Sequence, residues 1–330
     1  MLSYYAVKLL SRLICLLPHT AAMLLGEALA KIAWIFVPAK RKRLAREQVM
    51  RCLHTDAAEA DRIARASSLR FGTMFMEVLR FPVMKEHMSD YVTIVGAVDE
   101  LNAVMAEGKG AIFATSHSGN WELMGGAFAC AGYPLVGVAK KQSSAGMDRF
   151  INEYRTLVGM HITYSSSVRE MFRMLAEGWI IGLISDQDPS LRDGIIIDFF
   201  GQETNAFTGA ASIGRFRSVP IFPVFMHREP NGHHVLLVES AIRAPKTEDK
   251  EADIRQTTQY VVSRHGCGNT RRNGFGCTID GNLFVSAALD KNKINVIISA
   301  NNIECAERAV HAASCVVYRL YCTGWVSARI

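Results

Sequence analysis

From Gly110 onward the chain alternates short apolar runs with segments of helical period. Ala111–Thr115 is a continuous run of small and β-branched residues, the pattern of a strand buried on both faces. Ser118-Gly119-Asn120 then offers turn and capping chemistry, and from Trp121 the pattern turns helical through Cys130. A second strand is predicted at Leu135–Ala139. Gly146–Val158 sets Met147, Phe150, Ile151, Tyr154, Leu157 and Val158 at helical spacing. Ser167 followed by Glu170 reads as a capping box that opens a helix to about Glu177. Further strands are predicted at Trp179–Ser185, Ile221–Met226 and His234–Glu239, with helices at roughly 209–217 and 253–262. Upstream, residues 41–81 read as helical throughout, ending before Pro82. This alternation predicts an α/β fold, a mostly parallel sheet flanked by helices on both faces. No internal repeat is present.

The two ends break the pattern. Residues 1–37 are strongly apolar but interrupted by Lys8, Arg12, Glu27 and Lys31. The longest charge-free stretch, Leu13 to Gly26, contains Pro18 and His19 and falls short of the ~20 residues a span needs. A membrane-associated helical segment, interfacial or re-entrant, fits better, with a tilted span and a buried N-terminal helix as alternatives. Lys40-Arg-Lys-Arg43 and Arg46 follow at once, a basic flank that favours the cytoplasmic side and anionic lipid. At the far end, residues 263–330 hold five of the eight cysteines and seven asparagines, against five asparagines in the first 262 residues. Gly266–Gly276 is turn-rich directly after a helical segment. The organisation expected is therefore an anchor at 1–37, a catalytic domain at 38–262 and an atypical tail at 263–330. Either the tail is a small domain of its own, or a shift of reading frame near Val262 has replaced the native ending.

Composition narrows the chemistry. A net charge of +6 suits anionic head groups, phosphorylated substrates or an acidic carrier protein. Nucleic acid is not expected as a partner, because the basic residues are scattered and carry no aromatic-basic signature. The cysteines form no C-x-x-C pair and no zinc spacing, so reduced thiols are the better reading. Walker A, G-x-G-x-x-G and G-x-S-x-G patterns are all missing, which argues against an NTPase, a dinucleotide enzyme and a serine hydrolase. No cofactor and no metal are expected.

The candidate catalytic pair is His117 and Glu122. His117 is placed where a strand's carboxyl end meets a helix's amino end, the usual site position in an open α/β sheet. Glu122, about one turn into the helix, is within reach of one imidazole nitrogen and would fix its tautomer; the other nitrogen then takes a proton from a substrate hydroxyl. With ten His and 31 acidic residues, about one His-x-x-x-x-acid match arises by chance. A second match, His54 and Glu59, lies in a polar segment with no strand before it and reads as a solvated helix start. A structural, hydrogen-bonded His117 is the competing reading. Lys140, Lys141 and Gln142 end a strand, and Arg149 and Arg155 lie on the polar side of the next helix, where cations hold phosphates or a carboxylate-rich partner. Asp186 and Asp188 form a turn at another strand end and read as a structural turn or a polar hand on an acceptor. Phe199-Phe-Gly201 suggests an apolar wall, and Thr208-Gly209 a tight turn.

Taken in order, His117-Ser-Gly-Asn-Trp-Glu122, Ala139-Lys-Lys-Gln142, Asp148-Arg-Phe-Ile-Asn152 with Arg155, Asp186-Gln-Asp188, Phe199-Phe-Gly201 and Thr208-Gly209 resemble the bacterial lipid A late acyltransferases. That family is similar to the lysophospholipid acyltransferases, and the resemblance covers roughly residues 1–262. Lys140 departs from the Arg of many members, which weakens a bidentate contact. The Trp-rich closing helix of the family is not found. The resemblance implies a glycerolipid acyltransferase-like fold and transfer of an acyl chain from acyl carrier protein or acyl-CoA to a hydroxyl of a phosphorylated glycolipid, a lipid A precursor. It also implies location at the cytoplasmic face of the inner membrane. In that mechanism His117 is the general base and Glu122 orients it. Amides near Gly119 and Asn120 stabilise the oxyanion. The first alternative is acyl transfer to another glycolipid or a lysophospholipid; a lipid hydrolase or an inactive lipid-binding remnant are the further ones.

Overall fold

The computed structural model describes residues 2–186, 189, 194–199, 202–266, 283–289 and 294–300. The first third is helical: α1 (Leu2–Cys15), α2 (His19–Phe36), α3 (Ala39–Leu53) and α4 (Ala57–Leu79). Pro18 and Pro38 sit at the starts of α2 and α3, where a missing N–H costs little. The single helix expected over 41–81 is in fact broken. His54 closes α3 in the left-handed region (φ 50°), and the Asp56 carboxylate opens α4 by accepting from the Glu59 N–H at 2.8 Å. The capping side chain outcompetes the continuous helical period there. Pro82 lies inside the short α5 (Phe81–Met84), which leads through a 3₁₀ segment, Lys85–Asp90, into β1 (Val92–Gly96).

Strands and helices then alternate as α6 (Val98–Ala106), β2 (Ala111–Thr115), α7 (Trp121–Cys130), β3 (Leu135–Ala139) and α8 (Ala145–Leu157). Next come β4 (His161–Tyr164), α9 (Val168–Ala176), β5 (Ile180–Ile184) and a hairpin of β6 (Gly194–Phe199) and β7 (Gln202–Phe207). They are followed by α10 (Gly209–Arg217), β8 (Ile221–Arg228), β9 (His234–Val238) and α11 (Lys250–Gly266). A second hairpin, β10 (Leu283–Leu289) with β11 (Ile294–Ala300), lies in the atypical tail, whose remaining residues from 267 on are outside those described. The capping box at Ser167 does not form. Ser167 makes no side-chain cap bond, and the Glu170 carboxylate that would close the box from the other side is bonded to Thr163 and to His161 (3.4 Å) on the neighbouring strand.

Seven strands form one sheet in the order β1-β9-β8-β2-β5-β3-β4. The five from β8 to β4 are mutually parallel; β9 is antiparallel to β8 and carries β1 parallel to itself. The fold is α/β with a mostly parallel sheet, as the alternation predicts. Both faces are covered. Phe113 of β2 packs with Leu123 and Phe128 of α7 on one face, while Ile112 and Ala114 pack with Leu175 of α9 and Ala210 of α10 on the other. A strand buried on both sides has no polar positions to alternate, which is why β2 reads as an unbroken apolar run.

Residues 1–37 share this core. Tyr4, Ile14, Ala22 and Met23 are buried in the same cluster as Phe113 and Phe128. Tyr154 of α8 donates to Ser11 Oγ at 2.6 Å, and Arg80 donates to the carbonyls of Ile14 (2.9 Å) and Leu17 (2.5 Å). α2 meets α4 backbone to backbone: a Cβ on Gly72 would come within 2.1 Å of the Gly26 carbonyl oxygen. The opposite faces of α1 and α2 expose Leu13, Leu24, Leu29, Ile32 and Phe36, and Leu16 is exposed between the two helices.

Candidate active site

The parallel register aligns three strand ends. Thr115 of β2 pairs with Ile184 of β5, and Gly182 of β5 pairs with Gly137 of β3. The residues that follow, His117, Asp186 and Lys140, therefore emerge along the same carboxyl edge of the sheet. The chain turns sharply after β2. Gly119 has φ +63°, and a Cβ there would come within 2.3 Å of the Met226 carbonyl oxygen, so only glycine fits both the backbone and the space. Asn120 then starts α7, its side-chain oxygen accepting from the Leu123 N–H at 3.0 Å.

His117 is held from two sides. Its Nδ1 lies 2.7 Å from Asp186 Oδ1, and its backbone N–H donates to Asp186 Oδ2 at 2.8 Å. The Trp121 ring meets the imidazole edge to face, with centroids 4.9 Å apart. Asp186 is 4% exposed, so its carboxylate is shielded from water beside this histidine. The carboxylate bonded to the His117 ring is thus Asp186, where the sequence spacing points to Glu122.

Glu122 is held instead by Arg155 of α8, whose Nε and Nη2 donate to its two oxygens at 2.8 and 2.6 Å. Burial works to raise the Glu122 pKa. The charge and bonds of Arg155, the Trp121 indole and the nearby His117 outweigh it and hold the carboxyl below its usual range. Glu122 remains one turn into α7 beside His117, as the spacing predicts, and works there as half of a buried ion pair. Arg155, read from the sequence as a cation for a phosphate or a carboxylate-rich partner, turns its guanidinium fork onto the Glu122 carboxylate.

The remaining candidates divide by exposure. Lys140 and Lys141 are exposed at the carboxyl edge, and the Gln142 N–H donates to Asp148 Oδ1 at 2.8 Å. Arg149 stacks over the Tyr4 ring at 4.5 Å, tying α8 to α1. Thr208 is the residue before α10, its carbonyl accepting from the Ser212 N–H at 2.8 Å, and Gly209 opens that helix beside Leu183 of β5. Phe199 belongs to a small core with Ile197, Ala206 and Val262. Asp188 and Gly201 lie outside the described residues. His54 and Glu59 sit at a solvated helix junction, and Glu59 pairs with Arg62. Among the described residues no group of three His, Cys, Asp or Glu side chains is arranged to hold a metal ion.

The phosphatidylinositol mannoside acyltransferase of Mycolicibacterium smegmatis is 27% identical over 211 residues, covering 62% of this chain and 66% of that protein. Two from Mycobacterium tuberculosis strains are 27% identical over 215 residues, covering 63% of this chain and 66% of theirs. The matched region thus spans just under two thirds of these relatives. A family model described as bacterial lipid A biosynthesis acyltransferase matches residues 1–265, the α/β unit together with its N-terminal helices and none of the tail beyond. The chain belongs to the bacterial lipid A biosynthesis acyltransferase family.

Proposed function

We propose that this protein transfers a fatty acyl chain from the thioester of an acyl carrier protein or acyl-CoA to a sugar hydroxyl of a phosphorylated glycolipid. The observation that carries the reading is the His117–Asp186 pair at the carboxyl edge of the sheet. With Nδ1 bonded to a buried carboxylate, proton transfer at this ring runs through Nε2. The acceptor oxygen attacks the thioester carbonyl while Nε2 takes its proton. Asp186 balances the imidazolium that forms. Backbone N–H groups at the start of α7, near Gly119 and Asn120, face the developing oxyanion. The thiolate then leaves, the imidazolium returns the proton to it, and the products are an ester and a free thiol. Exposed Lys140 and Lys141 on the same edge suit the phosphates of CoA or the acidic surface of a carrier protein.

The acceptor we favour is a lipid A precursor, at the cytoplasmic face of an inner membrane. Membership of the lipid A family supports this choice, while the relatives named phosphatidylinositol mannoside acyltransferases support a glycolipid acceptor more broadly. No single helix among the described residues is long and apolar enough to cross a membrane. The exposed apolar faces of α1 and α2 are suited to lying in the interface. Beside the end of α2, an open cleft of about 700 Å³ is lined by Trp34, Lys40, Lys42, Arg43 and Arg65, with Arg46 paired to Asp61, a net basic surface for anionic head groups. The test is to incubate purified protein with acyl-carrier thioester and a lipid A precursor, then weigh the lipid by mass spectrometry. A gain of one acyl group is expected. Free fatty acid released without an acceptor would mean a hydrolase and overturn the reading.

Because residues 1–37 are part of the core, deleting them would disturb folding and anchoring together. Surface substitution separates the two. Leu29→Ser, Ile32→Ser and Phe36→Ser change side chains that are 48%, 54% and 78% exposed. Together they should lower partition onto anionic vesicles by on the order of 10²-fold or more, at ~1.5–3 kcal/mol per fully buried apolar side chain, and leave the thermal midpoint unchanged. Undiminished sedimentation with vesicles would refute this surface as the anchor.

A further inference from the structure

Glu77 is the lone charge in the apolar run Met74-Phe-Met-Glu-Val-Leu79 of α4, and it is 1% exposed. Three groups from three other parts of the fold converge on it. Asn120 Nδ2 donates to Oε2 at 2.8 Å, His234 Nε2 lies 2.9 Å from Oε1, and Arg228 Nε lies 3.6 Å from Oε1. Burial works to raise the Glu77 pKa, but His234, Arg228 and the Asn120 bond bring it down to about 2, so the carboxylate stays ionised. Asn120 faces both ways: its Nδ2 is fixed to Glu77 while its Oδ1 caps α7 at Leu123. A serine or aspartate would serve as a cap alone. A buried ion pair is also poor value as a stabiliser, because well-packed apolar residues of similar volume commonly do as well. What the Asn120 bond adds is a fixed side-chain orientation at the end of the turn that carries His117.

We propose that Glu77 is a positioning residue of this site: its bond to Asn120 sets the Ser116–Asn120 turn and with it the place of the His117 imidazole. The inference rests on the function proposed above, in which His117 is the base. It makes α4 a brace between the catalytic turn and α2, whose backbone α4 touches at Gly72 and whose outer face is the apolar one.

The experiment compares wild type, Glu77→Gln, Asn120→Asp and the combined Glu77→Gln/Asn120→Asp protein for kcat, donor KM, thermal midpoint and amide exchange across residues 116–123. Glu77→Gln should lower kcat by about 10–100-fold, the scale of a misplacement of roughly 1 Å, with KM changed less than about twofold and faster exchange in the turn. Asn120→Asp sets two carboxylates against each other and should be worse. The combined variant restores the hydrogen bond with donor and acceptor exchanged, and most of the lost kcat should return. A purely structural role would lower the thermal midpoint without touching kcat in the folded enzyme. The proposal is overturned if folded Glu77→Gln turns over within about twofold of wild type, or if the combined variant is no better than Asn120→Asp. Should Glu77→Gln not fold, Asn120→Ala cuts the same bond and leaves His234 and Arg228 in place; wild-type kcat there also overturns it. Absence of transfer by wild type itself would count against the proposed function, and the exchange rates would still decide the positioning.

Discussion

His117→Ala is expected to lower kcat by on the order of 10²–10⁴, the range supplied by a positioned general base, with the fold intact. The imidazole is 12% exposed and lies at the end of the sheet rather than within it, so its removal leaves the packing of Phe113, Leu123 and Phe128 unchanged. Asp186→Asn should follow it. An amide has the carboxylate's shape but cannot balance an imidazolium, and its NH₂ can force the ring into the wrong tautomer. Asp186 also accepts the His117 backbone N–H, so the residue holds both the ring and the chain that bears it. A kcat loss of about 10²-fold or more with little change in KM is the expected result for Asp186→Asn, read beside unchanged far-UV circular dichroism. Turnover within tenfold of wild type in His117→Ala would end the assignment of the base. Near-normal turnover in Asp186→Asn would make Asp186 a structural partner only.

These residues were unequally legible in the sequence. The strand–turn–helix from Ala111 to Cys130 could be read because three local signals agree: an unbroken apolar strand, a Gly-Asn turn and a capped helix. His117 followed from that context. Asp186 as its partner did not, because which strands become neighbours is a property of the sheet. β2 and β5 lie side by side although more than sixty residues separate them, and no local pattern states that pairing. Arg155 was visible as a polar-face cation, yet its direction depends on how α8 leans on α7. Glu77 did carry a signal, a single carboxylate within an apolar helical run, and such a charge calls for buried partners. A helix boundary failed where a side chain competed locally, at Asp56, whereas the helix after Ser167 has its expected bounds although Glu170 is bonded to Thr163 instead of closing a capping box. The antiparallel placement of β9 also escaped the reading, since an apolar strand gives no sign of its direction.

The Glu122–Arg155 pair supplies the second large effect, and its logic differs from that of the base. Both side chains are nearly buried, at 6% and 14% exposure, and two hydrogen bonds join them in fork geometry. Removing one partner of such a pair costs about 3–5 kcal/mol, because the other charge is left without compensation. Glu122→Gln should therefore destabilise the protein as well as slow it, and Arg155→Met should do the same. Glu122→Gln with Arg155→Met removes both charges, so its stability loss should fall well short of the sum of the two single losses. Non-additivity of 0.5–3 kcal/mol is the usual range for contacting residues, and denaturant midpoints on the four proteins measure it. Activity then separates two roles for Glu122. If it acts by clamping α7, which carries Trp121 against His117, the paired variant should regain turnover along with stability. If Glu122 serves the imidazole directly, turnover should stay low in the paired variant despite the recovered fold. The bidentate contact with Arg155 favours the clamp. Simple additivity in stability would refute the pair as a coupled unit, and a stable but inactive paired variant would return Glu122 to the catalytic centre.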